Sequence, residues 1–293
     1  MNNIDEIVSK QTNNRIFDKN AWKEKKAKER NEAYELIEQT SKEIVQDSNK
    51  FKSYIDIQSR FDKYSVGNAL LIVAQKPNAI LIKDFENWKK EQGDSFRINS
   101  KEKGIIILEP GEPYTKEDGT QAQSFNTKSV FDISQTNIKE NTKINNYDET
   151  ILLRALLKDS PVDMKVVDSL DNGKLADWNK TDNTIYICRD SDTTSLFNAI
   201  SKELAKTYFN EGNSIELNEF KANCVSYMIG KKYGINVDSI NIGDVPSVLK
   251  EKDSRNIRNE LSSMRDTIEE MNSRMSLYFE SISKTQKNKD MER

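Results

Sequence analysis

The sequence contains no histidine, only two cysteines and no long apolar run. Without imidazole side chains, histidine-based acid–base catalysis and histidine ligation of metals are excluded. No apolar run approaches the ~20 residues of a membrane-spanning helix, and the N-terminal stretch MNNIDEIVSK lacks the apolar core of a signal peptide. We therefore expect a cytoplasmic protein without membrane contact, in which Cys188 and Cys224 are buried free thiols.

An excess of positive charge is also lacking. Charged residues make up 32% of the chain, but its formal net charge is only -3. A uniformly basic nucleic-acid-binding surface is therefore excluded, and any such site has to be a local patch. The length of 293 residues leaves room for two domains, and the hydrophobic content of 35% suffices for modest cores but not for one large core.

Residues 60–110 interleave apolar runs with aromatic, amide and cationic side chains. The run YSVGNALLIVAQ at residues 64–75 predicts a helix that ends before Pro77, because proline disfavours helical backbone in the residue before it. Residues 104–108 predict a buried strand, and the polar residues 111–123 predict a loop.

The same stretch carries the features of a single-stranded nucleic-acid site, in which aromatic rings stack on bases and cations follow the phosphates. Two alternatives stay open. Tyr64 and Trp88 also fit core packing, and residues 22–30, WKEKKAKER, predict either a solvated helix face or a phosphate-contacting arm. The candidate nucleic-acid contacts are Arg60, Lys63, Tyr64, Asn68, Lys76, Trp88, Lys89, Arg97 and Lys103.

A family resemblance runs through these residues. The order RF-x-x-YS-x-GNALLI-x-AQ-x-P-x-A, a Trp-Lys pair, KGI-x-IL-x-P and VFDISQT resembles the N-terminal domain of ArdC-type antirestriction proteins, over about the first half of the chain. The resemblance implies single-stranded DNA binding and protection of incoming DNA from restriction, in a protein of a conjugative plasmid or related element. The chain departs from the family at Glu91–Asp94, where the family often has a basic turn containing Gly-Arg.

In the second half of the chain, the predicted strands and helix follow one another in an order similar to that of a small metallopeptidase domain. Short strands are predicted over residues 164–170, 175–178 and 183–188, followed by a helix over 195–209. That helix carries Lys202-Glu-Leu-Ala-Lys206 where a metallopeptidase carries His-Glu-x-x-His, whose imidazoles hold zinc and whose glutamate activates water.

Residues 219–227, EFKANCVSY, resemble the second helix of the ImmA/IrrE-like peptidases, which implies that Glu219 stands at the position of the third metal ligand. An ammonium group has no lone pair for zinc. Glu203 and Glu219 alone cannot supply the usual three protein ligands. We therefore predict a degenerate zincin-like domain with no catalytic residue, metal or cofactor.

In this hypothesis Lys202 and Lys206 face Glu219 and Glu203 at the vestigial metal-site positions and balance their buried charge. The alternative is that KELAK is a solvated stripe of an ordinary helix. The two cysteines offer no nucleophile either, because no histidine is present to activate them.

A heptad seam occupies the C-terminal residues, with apolar side chains at alternating steps of four and three. It predicts either a homodimeric coiled coil or a helix folded back on residues 20–61. The seam residues are Ile257, Leu261, Met264, Ile268, Met271, Met275, Tyr278 and Ile282.

We thus expect an α+β protein with three segments. Residues 1–140 form an ArdC-like single-stranded-DNA-binding domain with an N-terminal helical arm, residues 141–246 a degenerate zincin-like domain, and residues 247–293 a coiled-coil helix and charged tail. The polar stretch 136–148 is the predicted linker. The expected function is non-catalytic binding of single-stranded DNA in an antirestriction or mobile-element setting. The alternative is a protein-interaction pseudoenzyme, whose cleft and coiled coil bind a partner such as a restriction or conjugation protein.

Overall fold

The computed structural model describes residues 19–139, 147–189, 191–209 and 212–291. Three helices open the described chain: α1 (Lys19–Gln46), α2 (Ser48–Arg60) and α3 (Val66–Gln75). Short polar side chains fix the starts of the second and third helices. The Asp47 carboxylate accepts hydrogen bonds from the backbone N–H groups of Asn49 and Lys50, and the Ser65 hydroxyl accepts one from Asn68.

The first sheet has three antiparallel strands in the order β1-β3-β2. They are β1 (Ile82–Lys83), β2 (Ile105–Thr115) and β3 (Gln121–Asp132), and α4 (Phe85–Gln92) follows β1. The loop predicted for residues 111–123 is wrong, because the pairing of β2 with β3 continues to Thr115 and Gln121. A register shift between Pro110 and Pro113 accommodates the two prolines, which cannot donate ladder hydrogen bonds.

The second sheet has the order β4-β6-β5, with β4 parallel and β5 antiparallel to the central strand. Helix α6 packs on this sheet, and α5 and α7 pack on α6. Gly234 ends α7 in the left-handed conformation, with a φ of 74° that glycine adopts without strain. The elements are α5 (Glu149–Leu157), β4 (Asp163–Val167), β5 (Ala176–Asn179), β6 (Thr184–Cys188), α6 (Thr193–Lys206) and α7 (Ile215–Tyr233).

The C-terminal helix α9 (Ser254–Met291) follows the one-turn helix α8 (Ser247–Lys250) and packs on α1, α3, α5 and α7. Its seam is therefore covered by helices of the same chain, and Tyr278 and Ile282 are half-buried. Of the two alternatives for the seam, the structure has the fold-back, in which these side chains pack within one chain. The helix folds back, but on four helices and not on residues 20–61 alone. The seam residues at most 1% exposed are Ile257, Leu261, Met264, Ile268, Met271 and Met275.

A buried ion pair also fastens α9 to α7. The Lys221 ammonium lies 2.7 Å from a carboxylate oxygen of Glu260, and the Lys221 side chain is 2% exposed. Burial lowers the pKa of Lys221, and the hydrogen bond that its ammonium donates to Glu260 opposes that shift. Because an unpartnered charge here would be costly, the pair helps to fix the register between the two helices.

The described hydrophobic residues form one continuous core from Ala33 to Phe279, with a small second cluster around Trp88. The core is larger than the composition led us to expect, because α9 contributes side chains to both halves. The α+β class is confirmed, and no helix in the described ranges is long and apolar enough to cross a membrane. The predicted boundary near residue 140 falls on residues outside those ranges, so the division into segments stays a prediction.

Candidate functional site

Helices α6 and α7 form the centre of the second half, and small side chains let them approach closely. Ser201 on α6 and Ser226 on α7 are both buried, and their hydroxyl oxygens lie 2.8 Å apart. Both helices start at a side-chain cap, Asp192 for α6 and Ser214 for α7. This contact brings residues 202–206 of α6 opposite the first turns of α7.

Four charged side chains meet at this contact, and we call Lys202, Glu203, Lys206 and Glu219 the paired-charge cluster. The Lys202 ammonium lies 2.8 Å from one carboxylate oxygen of Glu219. The Lys206 ammonium lies 2.7 Å from Glu203 and also pairs with the second oxygen of Glu219. The structure thus brings together the four residues that the sequence placed at the vestigial metal-site positions.

The inner half of the cluster is shielded from water. The side chains of Glu203 and Lys206 are 7% and 16% exposed, whereas those of Lys202 and Glu219 are 32% and 39% exposed. The second oxygen of Glu203 accepts a hydrogen bond of 3.1 Å from the backbone N–H of Trp178 on β5. Since β5 is an edge strand, Glu203 ties the sheet edge to the cluster.

The cluster controls the ionisation of Glu219. Burial raises the pKa of this carboxyl, but hydrogen bonds from Lys202 and Lys206 outweigh burial and hold the pKa below its ordinary value. The carboxylate is therefore stabilised in its ionised form, as expected for an anion with two cationic partners.

We expect acid to weaken this part of the fold. Because the folded pKa of Glu219 lies below its ordinary value of 4.5, its contribution to stability is fully present above that pH. The contribution is lost as the pH falls through the folded pKa. The measurement is urea unfolding of the natural protein and the Glu219→Gln variant between about pH 7 and about pH 3. The stability difference should shrink below pH 4.5, and a pH-independent difference would contradict the assignment.

The residues of the cluster do not fit a metal ion. Both carboxylates are already paired with ammonium groups, which repel a dication and have no lone pair to donate. In the described ranges, no group of three or more acidic or cysteine side chains is placed to hold a metal. Cys188 and Cys224 are both free, as expected, although Cys188 is only half-buried; burial raises the pKa of the Cys224 thiol far above its ordinary value.

A cleft of about 430 Å³ opens beside the cluster, with Trp178 of β5 and Phe209 among its walls. An ion pair between Lys174 and Asp177, 2.6 Å long, lies at its rim. The cleft therefore combines aromatic surface with charged groups, which is the composition of a site for a small ligand or a peptide segment.

The predicted nucleic-acid contacts divide into exposed cations and structural residues. The Arg60 guanidinium donates to the carbonyl of Ala79 at 3.0 Å, which anchors it beside the end of α3. Lys76 is half-buried at the C-terminal cap of α3. The exposed cations of the set are Arg60, Lys63, Lys89, Arg97 and Lys103. For these side chains nucleic-acid contact stays a prediction.

Trp88 does not present its ring for stacking on a base. Its side chain is 1% exposed, its indole N–H donates to the carbonyl of Phe131 at 2.9 Å, and its ring stacks on Phe96. The structure therefore assigns it to the core, which was the alternative for this residue. Tyr64 is half-buried and packs edge-on against Phe61, with ring centroids 5.9 Å apart.

Asn68 also has a structural role that the sequence did not reveal. Its amide donates to the carbonyl of Leu108 and accepts from the N–H of the same residue, both at 2.8 Å. Gln75 makes the same two bonds to Ile106, both at 2.9 Å. Because β2 is an edge strand, the two amides occupy backbone groups that a further strand would otherwise pair with.

Comparison with known proteins places the fold. No family model and no curated protein matches the chain. Two crystal structures of the antirestriction ArdC protein from R388 plasmid, one metal-free and one Mn(II)-bound, are similar to it, with a TM-score of 0.56 in each case. The sequence identities are 15% and 14%, and the alignments cover 82% of this chain and 98% of the other. The chain therefore has an ArdC-like fold.

Proposed function

We propose that this protein is a non-catalytic single-stranded-DNA-binding protein of a mobile element, with an antirestriction-like role and an inactive metallopeptidase-like second half. The observation that carries the proposal is the paired-charge cluster within an ArdC-like fold. The structural neighbours are two structures of one antirestriction protein, and one of them is Mn(II)-bound. In this chain, lysine ammonium groups neutralise the carboxylates at the vestigial positions.

Loss of catalysis follows from the chemistry of the cluster. A metallopeptidase needs a Lewis acid and an activated water, and Lys202, Lys206 and the two glutamates supply neither. The Cys224 thiol is buried and held in its protonated form. On this proposal the cluster serves stability: it balances charge where α6, α7 and the edge of the second sheet meet.

DNA binding rests on local features, because the chain as a whole is slightly acidic. Exposed cations are present in the first half, and the ArdC-like fold supports the antirestriction setting. Binding through phosphates and base stacking should be tolerant of sequence and should weaken steeply with salt, since counterion release is one of its sources.

The test is fluorescence anisotropy of a labelled strand of about 25 nucleotides, titrated with protein at low and moderate salt beside a duplex of the same sequence. We expect a Kd of about 1 μM or below for the single strand at low salt, weaker duplex binding, and a linear fall of log K with log salt. No binding of the single strand at low salt would refute the DNA-binding proposal.

A second function is favoured by the cleft beside the cluster. With Trp178 and Phe209 in its walls and charged residues around them, it fits a peptide held without cleavage. If this function is correct, the natural protein should bind to members of an array of short peptides, and the Trp178→Ala variant should not. The natural protein should also fail to bind single-stranded DNA. Equal retention of both proteins would contradict this alternative.

A further inference from the structure

Two strongly exposed aromatic side chains of helix α1 lie outside the predicted set of DNA contacts. Trp22 and Tyr34 on α1 are 49% and 45% exposed. Both positions face the β2–β3 hairpin: Trp22 lines a hollow with Asn126 and Thr127, and Tyr34 lines a second hollow with Phe125. Because both exposed rings line hollows beside the same hairpin, they form a candidate interaction surface.

Helical periodicity explains why the two hollows follow one another. Trp22, Lys26, Arg30 and Tyr34 are spaced four residues apart, which places them on a stripe that covers about 18 Å of α1 and winds about 120° around it. The hairpin lies alongside and is tied to the helix by a hydrogen bond of 3.1 Å between Thr127 and Glu29. We call these two neighbouring hollows beside α1 and the hairpin, taken together, the α1 groove.

The charge of the α1 groove is opposite to that of the chain. Its lining in the described residues includes the cations Lys23, Lys26, Arg30 and Arg258 and the carboxylate of Glu38. Glu38 is itself paired with Lys42 at 3.2 Å, and Glu29 at the groove wall is paired with Lys26 at 2.7 Å. In a protein of net charge -3, this stripe is a local cationic surface.

We propose that the α1 groove binds single-stranded DNA, with Trp22 and Tyr34 stacking on bases and Arg30 and Lys26 contacting phosphates. This inference rests on the proposed function and locates its binding surface. Two rings with cations between them fit a strand whose bases are unpaired, because a duplex hides its base faces. On this proposal, residues 22–30 act as the phosphate-contacting arm.

The proposal is tested by anisotropy titrations of full-length variants with the same labelled single strand. Trp22→Ala and Tyr34→Ala should each weaken binding by about tenfold, and Trp22→Phe should restore most of the loss because a ring remains. Arg30→Ala should lower the slope of log K against log salt by about 1. Tyr114→Ala is the matched control, since Tyr114 is 50% exposed at the hairpin tip and lines neither hollow.

The outcomes separate this inference from the function on which it rests. If the natural protein binds and Trp22→Ala, Tyr34→Ala and Arg30→Ala bind equally well, the groove is refuted and DNA binding through the exposed cations stands. If the natural protein does not bind the single strand at all, both are refuted. Equal binding of an RNA strand of the same sequence would overturn the assignment to DNA.

Discussion

Replacing Lys206 with methionine should destabilise the protein by about 3 kcal/mol, because it leaves the buried Glu203 without its cationic partner. The same change one turn earlier, Lys202→Met, should cost less than about 1 kcal/mol, since that pair is about one-third exposed and screened by water. The two substitutions are matched in chemistry and helical position. Urea unfolding of both variants and the natural protein gives the free energies directly.

A third variant isolates the charge effect. Adding Glu203→Leu to Lys206→Met should recover part of the lost stability, because no unpaired buried carboxylate then remains at that position. The recovery is partial because the backbone N–H of Trp178 loses its acceptor. If Lys206→Met and Lys202→Met both cost less than about 1 kcal/mol, the cluster is a solvated stripe of an ordinary helix.

The second large effect is a gain of metal binding. The combined substitutions Lys202→His and Lys206→His should make the protein bind about one zinc ion per chain, because two imidazoles one turn apart would join Glu219 as a third ligand. Zinc content after dialysis, measured by mass spectrometry of the metal, should show none in the natural protein. Adding Glu219→Ala to the double variant should abolish stoichiometric binding.

A matched control separates a vestigial site from an accidental one. Lys28 and Glu32 are exposed and one turn apart on α1. Histidines at these two positions supply the same pair of imidazoles without a third ligand. Zinc binding should therefore be weak, and the zinc should be lost on dialysis. If the Lys202 and Lys206 double variant binds zinc no better than this control, the cluster does not have the geometry of a metallopeptidase site.

The sequence predicts local features of this fold well. The helix expected over residues 64–75 is present as α3, and the strand expected over 104–108 opens β2, because proline and apolar runs act over short distances. The four residues of the paired-charge cluster could be identified from the sequence, because Lys202, Glu203 and Lys206 have the spacing of the His-Glu-x-x-His motif and Glu219 stands at the third-ligand position on the next helix. Their proximity in the structure follows from the packing of α6 on α7.

Other features depend on long-range packing and escape sequence analysis. The heptad seam of α9 shows that one face of the helix is apolar. The same pattern is compatible with a dimer and with a helix that folds back, and only the tertiary contacts show which helices cover that face. Trp88 and Asn68 carry side chains that suit DNA, yet one is in the core and the other holds an edge strand. Trp22 and Tyr34 have the helical spacing of a surface face, but the hairpin beside them could not be anticipated.

The most direct test of the account is the single-strand titration carried out twice, once in a strong chelator and once after equilibration with zinc. The proposal that the paired-charge cluster takes the place of a metal predicts the same salt-dependent affinity, about 1 μM or tighter at low salt, in both conditions. Binding that requires zinc, or no binding of the single strand in either condition, would contradict the account.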